Sequence, residues 1–292
     1  MDKNEFLSVV IPAYNEKAGI ENTIEVVHRV LKPLGRPYEV IIVNDGSSDG
    51  MAELLRGGGD IVLIDRSANR GYGYSLKEGI ERAKGEWILI TDADGTYPIE
   101  DMPVLLSHAA GFDMVVGERS KDQVAMGIFN RTAKAILRVL IYLLTYRWIT
   151  DINSGFRLFR KELAKKYEDI IPDGFSFTTT ITLIAAIEKR GMRYVPINYY
   201  KRIGKSHIKP VRDFLSFIIL VLRTITFFKP LRFFLPISMI FLAASLLRAL
   251  RDILAQNYIG TLAGLLFMLA VQSFFFGLLA DLIVSKSRMN RK

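Results

Sequence analysis

The fold of this chain is decided by the stretch Trp87-Ile88-Leu89-Ile90-Thr91-Asp92-Ala93-Asp94-Gly95, a short apolar run that ends in two aspartates two positions apart. An apolar run of this length between polar segments is typical of a strand buried on both faces of a sheet. Runs of the same kind recur through the first 120 residues, at Leu7–Ile11, Glu39–Val43, Ile61–Ile64 and Met114–Val116. The pattern therefore predicts several buried strands that belong to one sheet.

Helix-like stretches separate these runs, and their apolar residues recur at helical spacing. They lie at Gly19–Leu31, Ser48–Leu55, Gly73–Ala83 and Ile99–Ser107. Strands that alternate with helices predict an α/β fold with a mostly parallel sheet covered on both faces. Ligands of such sheets bind outside the carboxyl ends of the strands. Function is therefore expected in the residues that follow each run.

Asp92 and Asp94 are the acidic residues that follow the run at position 87. In an extended chain, residues two apart point to the same side, and Gly95 permits a tight turn behind them. Two such carboxylates suit Mg²⁺ or Mn²⁺, which fills its other positions with water and substrate phosphates. The chain has no cysteine and only three histidines, so a metal is expected on oxygen ligands. The alternative is a loop of solvated carboxylates.

The C-terminal part is strongly apolar. No charged residue occurs from Ile253 to Ala280, and the segment Ile259–Ala280 is about 30 Å long as a helix, which matches the hydrocarbon core of a bilayer. The uncharged segment Phe233–Leu247 is about 22 Å long, so the arginines at its ends would have to reach the interface. We predict a transmembrane hairpin at about 231–250 and 259–284. The alternative, two buried helices of a soluble bundle, conflicts with the absence of a polar face.

The charges that flank the hairpin predict its orientation. Lys229 and Arg232 precede it, and the basic segment 285–292 follows it, so both ends are expected in the cytoplasm. No signal peptide is recognised at Met1, so the N-terminal bulk, residues 1–210, is expected to stay on the cytoplasmic side of the cytoplasmic membrane. A net charge of +9 beside such a hairpin favours a membrane surface and a phosphorylated substrate over nucleic acid.

Two further segments combine apolar residues with scattered basic ones. Val211–Lys229 predicts an interfacial helix that lies at the lipid headgroups, with a third span as the alternative. Ala125–Trp148 predicts either another membrane-contacting helix or a buried core helix, and its pattern does not separate the two.

The chain resembles the family 2 glycosyltransferases of the GT-A fold, in particular the polyprenyl-phosphate glycosyltransferases that include dolichyl-phosphate mannose synthase. Seven stretches carry the resemblance, in the order the family has them: Val10-Ile11-Pro12-Ala13-Tyr14-Asn15-Glu16, Asn44-Asp45-Gly46-Ser47-Ser48-Asp49, Asn69-Arg70-Gly71-Tyr72-Gly73, Asp92-Ala93-Asp94-Gly95-Thr96-Tyr97-Pro98, Val116-Gly117-Glu118-Arg119-Ser120, Ser154-Gly155-Phe156-Arg157-Leu158-Phe159 and Arg202-Ile203-Gly204-Lys205-Ser206. The family often has Asp at position 44, Ser at 118 and Gln at 96. Thr96 leaves open whether its position helps to bind the metal.

The resemblance implies an inverting transferase. It would move a hexose, with mannose or glucose favoured, from a GDP- or UDP-sugar to a polyprenyl phosphate of the dolichyl or undecaprenyl type. It implies that Asp92 and Asp94 hold Mg²⁺ or Mn²⁺, unless Asp92 contacts the nucleotide and Asp94 is the main ligand. The nucleotide ligands that it implies are Pro12, Tyr14, Glu16, Asp45 and Asp92. Asp45 would accept a ring N–H from uracil or guanine.

If the acceptor is a lipid phosphate, the site requires positively charged side chains that bind the phosphate. A phosphate monoester is largely ionised at neutral pH, with a second pKa of about 6, so the transfer requires no strong general base. The candidates to hold it are Arg119, Arg131, Arg202 and Lys205, with Arg157 a weaker one. The predicted catalytic set is Asp92, Asp94 and Arg119. Relatives with a C-terminal hairpin suggest a homo-oligomer, such as a tetramer.

Competing functions are less consistent with the residues. A nicotinamide-dependent enzyme requires Gly-x-Gly-x-x-Gly after the first strand, where this chain has Pro12-Ala13-Tyr14-Asn15-Glu16. A processive polysaccharide synthase is expected to carry Gln-x-x-Arg-Trp, but Leu144 stands where the glutamine belongs before Arg147-Trp148. A membrane glycosyltransferase with another lipid or polysaccharide acceptor stays open, as does a non-catalytic membrane scaffold.

Overall fold

The computed structural model of this protein describes residues 4–119, 139, 141–142, 145–174, 176–200 and 210–289. The chain divides into two compact units, Met1–Phe217 and Ile218–Lys292. The first unit contains the sheet and the second contains the long apolar helices.

The first unit alternates strands and helices. Its strands are β1 (Leu7–Ala13), β2 (Tyr38–Asn44), β3 (Val62–Asp65), β4 (Trp87–Ile90), β5 (Met114–Arg119), β6 (Arg157–Arg160) and β7 (Met192–Ile197). Its helices are α1 (Lys17–Leu31), α2 (Met51–Arg56), α3 (Tyr72–Arg82), α4 (Met102–Ser107), α5 (Lys161–Lys166) and α6 (Phe177–Ile187). Single 3-10 turns occur at Lys32–Leu34 and Ile99–Asp101.

The strands form one sheet in the order β3-β2-β1-β4-β6-β5-β7. Neighbouring strands are parallel except β6, which runs antiparallel to both β4 and β5. The chain moves outward from β1 to β3 and then returns to place β4 on the other side of β1. The crevice at such a reversal is where open α/β sheets bind ligands. The predicted α/β class with a mostly parallel sheet is confirmed.

The register brings the carboxyl ends of the central strands to one edge. Ala13 of β1 lies opposite Asn44 of β2, which lies opposite Asp65 of β3. The acidic residues Asp45 and Asp92 follow β2 and β4 at this edge. The sequence-predicted candidates that follow these strands therefore share one rim of the sheet.

Burial explains the continuous apolar runs. Every residue of β1 and β4 is buried. The amphipathic helix α1 packs its apolar face, which includes Ile20, Val27 and Leu31, into the same core. Helix α3 approaches β1 and β2 closely, because a Cβ at Gly79 would lie 3.2 Å from Val43 Cγ2 and would collide with Val10. The second half of α3 therefore packs closely on β1 and β2.

Helix α7 (Pro210–Phe228) leads into the second unit, which contains α8 (Pro230–Gln256) and α9 (Thr261–Met289). Both α8 and α9 are long and apolar enough to cross a membrane. They pack along each other, and buried serine hydroxyls donate to carbonyls across the pair: Ser238 to Ala270 O and Ser245 to Ala263 O, each at 2.8 Å. At the turn, the buried Asp252 carboxylate accepts the Gly260 N–H. The first predicted segment, 231–250, falls within α8, and the second, 259–284, begins two residues before α9 and otherwise falls within it.

Candidate functional site

The loop after β1 and the loop after β2 are tied together. Asn15 has a positive φ of 55° and donates its N–H to Ser47 Oγ at 2.9 Å. Its side-chain oxygen accepts the Ser48 N–H at 2.8 Å. Three of the predicted nucleotide ligands lie here: Pro12 is buried in β1, Tyr14 is 49% exposed, and Glu16 is partly exposed at the start of α1. The structure thus brings these three residues to the rim of the sheet.

Asp45 is buried and organises the next loop. Its Oδ1 accepts the Arg70 N–H at 2.9 Å and its Oδ2 accepts the Gly71 N–H at 2.8 Å. The guanidinium of Arg66 lies 3.1 Å from Oδ1. Gly71 has a φ of 102°, which glycine adopts readily, and α3 begins at the following residue, Tyr72. The predicted base ligand is therefore also the group that shapes the Asn-Arg-Gly-Tyr-Gly loop.

The Asp92 carboxylate lies between a tyrosine and a glycine from distant parts of the chain. The Tyr72 hydroxyl donates to Asp92 Oδ1 at 3.1 Å. A Cβ at Gly155 would lie 3.1 and 3.2 Å from the two carboxylate oxygens. The Gly155 N–H donates to the buried Tyr97 hydroxyl at 2.7 Å. The Ser-Gly-Phe-Arg motif therefore forms a wall of the Asp92 site, a role that the sequence left unassigned.

Asp94 is oriented by hydrogen bonds from Thr96, two residues later in the same loop. The Thr96 hydroxyl donates to Asp94 Oδ1 at 2.6 Å, and the Thr96 N–H donates to the same oxygen at 3.1 Å. Gly95 between them has a φ of 69°, so glycine suits the turn. Thr96 is only 1% exposed, whereas Asp94 keeps partial exposure. The hydroxyl that the sequence left open thus contacts the carboxylate directly.

The two carboxylates fit a divalent cation by their chemistry. They are hard oxygen donors, both are partly exposed, and both are held by protein hydroxyls. Mg²⁺ is commonly bound through one or two carboxylates and completed by substrate phosphates and water. Within the described residues, no group of three or more His, Asp or Glu side chains is placed to share one metal. A cation here would depend on ligands from the substrate.

Tyr97 connects Asp92 to Arg119. Its ring packs edge-on against Tyr199 with centroids 5.2 Å apart, and the Arg119 guanidinium lies 5.4 Å from the Tyr199 ring centroid. Burial raises the pKa of Tyr97, the Asp92 carboxylate raises it further, and Arg119 partly opposes the rise. The hydroxyl therefore stays protonated at neutral pH. Tyr97 is thus close to two of the predicted catalytic residues.

Arg119 ends β5 and forms a two-pronged ion pair with Asp151. Its Nε and Nη2 each donate to a carboxylate oxygen at 2.7 Å, and its backbone N–H donates at 3.2 Å. Burial raises the pKa of Asp151, but the hydrogen bonds from Arg119 outweigh this and leave that pKa below its ordinary value. Asp151 was not singled out from the sequence. It fixes the guanidinium that was predicted to bind the acceptor phosphate.

Arg157 is completely buried and serves the fold. Its guanidinium donates to the carbonyls of Ile152, Ser154 and Thr178 and to the Thr182 hydroxyl. These bonds hold the loop before β6 against α6. A side chain with no exposed surface has no path to a substrate phosphate, so Arg157 is removed from the candidates.

Three other candidates for the acceptor phosphate, Arg131, Arg202 and Lys205, lie outside the described residues. So does most of the predicted helix Ala125–Trp148.

Comparison with known proteins identifies the family. Residues 8–168 match the family described as Glycosyl transferase family 2. The chain belongs to this family. Residues 229–285 of this family 2 member match the family described as the GtrB C-terminal hairpin, in agreement with α8 and α9. The hairpin match and the two long apolar helices indicate a membrane protein.

Curated relatives of this family 2 member include two named transferases. The low-salt glycan biosynthesis hexosyltransferase Agl6 of Haloferax volcanii is 29% identical over 213 residues, which cover 71% of this chain and 51% of that protein. The undecaprenyl-phosphate 4-deoxy-4-formamido-L-arabinose transferase of Yersinia enterocolitica is 32% identical over 170 residues, covering 56% and 51%. The chain thus spans about half the length of these relatives.

Solved structures share the fold of this family 2 member. Glucosyl-3-phosphoglycerate synthase from Mycobacterium tuberculosis, in complex with Mn²⁺, UDP and phosphoglyceric acid, aligns with a TM-score of 0.59 and 18% identity, over 76% of this chain and 78% of that chain. Mannosyl-3-phosphoglycerate synthase from Rubrobacter xylanophilus aligns with a TM-score of 0.56 and 17% identity, over 76% and 72%. These similarities, together with the family match, confirm the predicted GT-A fold.

Proposed function

We propose that this protein is an inverting glycosyltransferase that moves a hexose from a nucleotide sugar to a polyprenyl phosphate. The observation that carries the proposal is the Asp92 and Asp94 pair, which follows β4 at the sheet reversal and is held by hydroxyls from Tyr72 and Thr96. The pair belongs to a family 2 domain, and a family match to a C-terminal hairpin follows it along the chain. A curated relative is named as an undecaprenyl-phosphate transferase, which favours a lipid phosphate acceptor.

The donor site in this proposal lies along the rim formed by β1, β2 and β4. Asp92 and Asp94 would hold Mg²⁺ or Mn²⁺, and a structural neighbour that contains both Mn²⁺ and UDP supports this. Such a cation, when bound, neutralises the charge that develops on the diphosphate leaving group. Pro12, Tyr14 and Glu16 would enclose the nucleotide.

In this proposal, the Asp45 carboxylate accepts a hydrogen bond from the base in addition to those from the protein. A carboxylate offers about four lone-pair sites. The Arg70 and Gly71 N–H groups use two of them, and the Arg66 guanidinium forms an ion pair at 3.1 Å without a hydrogen bond. A ring N–H of the base would take one of those that are left. Because Asp45 is already anchored by the protein, it would meet the base with little loss of side-chain entropy.

The acceptor phosphate supplies its own nucleophile. Because it is largely ionised at neutral pH, with a second pKa of about 6, the protein needs to position it and to offset its charge. Arg119 would do so with the part of its guanidinium turned away from Asp151, and its side chain is 24% exposed. Arg131, Arg202 and Lys205 would complete the set. Direct attack inverts the anomeric centre, so an α-linked donor gives a β-linked lipid phosphate sugar.

The membrane arrangement follows the same proposal. Helices α8 and α9 would cross the cytoplasmic membrane, and α7 would lie at the lipid headgroups. The basic residues that flank the hairpin favour a cytoplasmic catalytic unit. Mannose or glucose is the favoured hexose, and a homo-oligomer such as a tetramer is the expected assembly.

The proposal is tested with the purified full chain in detergent. A panel of labelled GDP- and UDP-sugars is incubated with polyprenyl phosphate, with Mn²⁺ or Mg²⁺ against EDTA, and the label in the lipid fraction is counted. We expect one class of donor to label the lipid, metal-dependently. Asp94→Asn should abolish the transfer, whereas Asp60→Asn, in an exposed loop, should leave it unchanged.

Two outcomes would contradict the proposal. If a donor labels a different lipid or a polymer and never the polyprenyl phosphate, the acceptor assignment is wrong. If no donor binds or reacts, a non-catalytic membrane scaffold becomes the better account.

A further inference from the structure

The carboxylates of Asp92 and Asp94 share one structural feature: each accepts a side-chain hydroxyl. Tyr72 donates to Asp92 Oδ1 at 3.1 Å and Thr96 donates to Asp94 Oδ1 at 2.6 Å. The two hydroxyls come from unrelated places, the first residue of α3 and the turn after β4. A hydroxyl that donates to a carboxylate oxygen restricts the rotation of that side chain.

The backbone on both sides of Tyr72 is held by contacts with other parts of the chain. Asp45 holds the preceding backbone through the Arg70 and Gly71 N–H groups. One residue after Tyr72, a Cβ at Gly73 would lie 2.6 Å from the Gly174 carbonyl oxygen, so the helix start is pressed against another loop. The Tyr72 hydroxyl therefore donates to Asp92 from a backbone that is held in place on both sides.

Thr96 is constrained in a different way. It is 1% exposed and donates both its hydroxyl and its backbone N–H to the same Asp94 oxygen. Thr91 lies on the same loop and is equally buried, but within the described residues its hydroxyl has no hydrogen-bond partner. Thr91 and Thr96 are thus both buried beside the two aspartates, and among the described contacts Thr96 bonds to a carboxylate whereas Thr91 does not.

We infer that Tyr72 and Thr96 are positioning residues that orient Asp92 and Asp94 for a divalent cation and the diphosphate of the donor. The inference rests on the proposed function, which places the cation at this pair. It also assigns Thr96 a role through Asp94 in place of direct ligation. Removing a hydrogen-bonding partner of a metal ligand typically lowers metal affinity about 10- to 100-fold. A comparable loss is expected for each hydroxyl.

The test measures binding without turnover. The full chain in detergent is titrated with Mn²⁺ in the presence of UDP or GDP, and bound Mn²⁺ is followed by electron paramagnetic resonance and by calorimetry. The test variants are Tyr72→Phe and Thr96→Val. The matched controls are Tyr74→Phe and Thr91→Val. Tyr74 is on the same helix as Tyr72, and its hydroxyl accepts a hydrogen bond from the Arg70 guanidinium. Thr96→Ser retains the hydroxyl.

We expect about a tenfold or greater loss of Mn²⁺ affinity in Tyr72→Phe and Thr96→Val. Both controls and Thr96→Ser should stay within about threefold of the wild type, and the thermal unfolding midpoints of all variants should be similar. A structural role alone would lower the midpoint and leave the affinity of the folded protein unchanged.

The outcomes separate the inference from the function on which it rests. If the wild type binds Mn²⁺ with a nucleoside diphosphate but the two test variants bind as tightly, the inference is wrong and the proposed function stands. If Thr96→Ser loses as much affinity as Thr96→Val, the hydroxyl is not the active group. If the wild type binds neither nucleotide with Mn²⁺, the proposed function and the inference both fail.

Discussion

Replacement of Asp151 by asparagine tests how strongly the Arg119 guanidinium is held. The carboxylate accepts two side-chain bonds at 2.7 Å and the Arg119 N–H at 3.2 Å. Removing one partner of a buried ion pair costs about 3–5 kcal/mol. Arg119 is 24% exposed and water screens part of its charge, so we expect about 2–3 kcal/mol. For a unit of this size, that lowers the unfolding midpoint by roughly 4–12 °C.

The assay is thermal unfolding of the full chain in detergent, followed by tryptophan fluorescence. Asp173→Asn is the control, because Asp173 pairs with Lys77 but is 59% exposed, and surface pairs contribute about 0–1 kcal/mol. A midpoint for Asp151→Asn within about 2 °C of the wild type would refute the reasoning.

The pH dependence of the same difference gives a second check. The pKa of Asp151 is lowered in the folded protein, because hydrogen bonds from Arg119 outweigh the effect of burial. The pair therefore stabilises the fold fully above the pKa of an unfolded aspartate, about 3.9, and its contribution is lost as pH falls through the lower folded value. The wild-type advantage over Asp151→Asn should be constant from about pH 5 to 7 and shrink in stronger acid. An advantage that grows in acid would contradict this.

Three other substitutions test Gly155 beside Asp92, the buried Arg157 and the bond between α8 and α9. Gly155→Ala would press a Cβ to within 3.1 Å of Asp92 and should lower transfer activity about tenfold, whereas Gly57→Ala, which has open space around it, should not. Arg157→Lys leaves buried carbonyls without donors and should lower the unfolding midpoint by an amount equivalent to about 3 kcal/mol, measured by the same fluorescence assay. Ser245→Ala removes one interhelical bond worth about 0.6 kcal/mol, so an unfolding midpoint changed by more than a few degrees would be unexpected.

The sequence predicted β1 to β5, five of the seven strands in the described sheet, because these strands are continuous apolar runs. β1 and β4 are buried along their whole length, so their composition alone identifies them. β6 and β7 were not predicted. β6 has an arginine at each end, Arg157 and Arg160, and only two apolar residues between them, whereas β7 includes Pro196 and mixes exposed and buried positions. In both strands, tertiary contacts outweigh local preference.

The site residues also include some that local sequence predicts and others that only the fold brings together. Asp92 and Asp94 are recognisable because their spacing and their place after a strand are local features. Tyr72 and Gly155 meet Asp92 from 20 and 63 positions away in the chain, and only the strand order brings them together. The motifs that contain them were visible in the sequence, but the contact that each one makes was not. Asp151 carried no local signal at all.

The measurement that tests the central claim most directly is mass spectrometry of the polyprenyl phosphate after incubation with the purified chain, a nucleotide sugar and Mn²⁺. The proposed function predicts a lipid heavier by one hexosyl unit, joined through the phosphate oxygen, and no such product with EDTA or with Asp94→Asn. A lipid of unchanged mass while the donor is consumed, or a product that forms equally without metal, would contradict it.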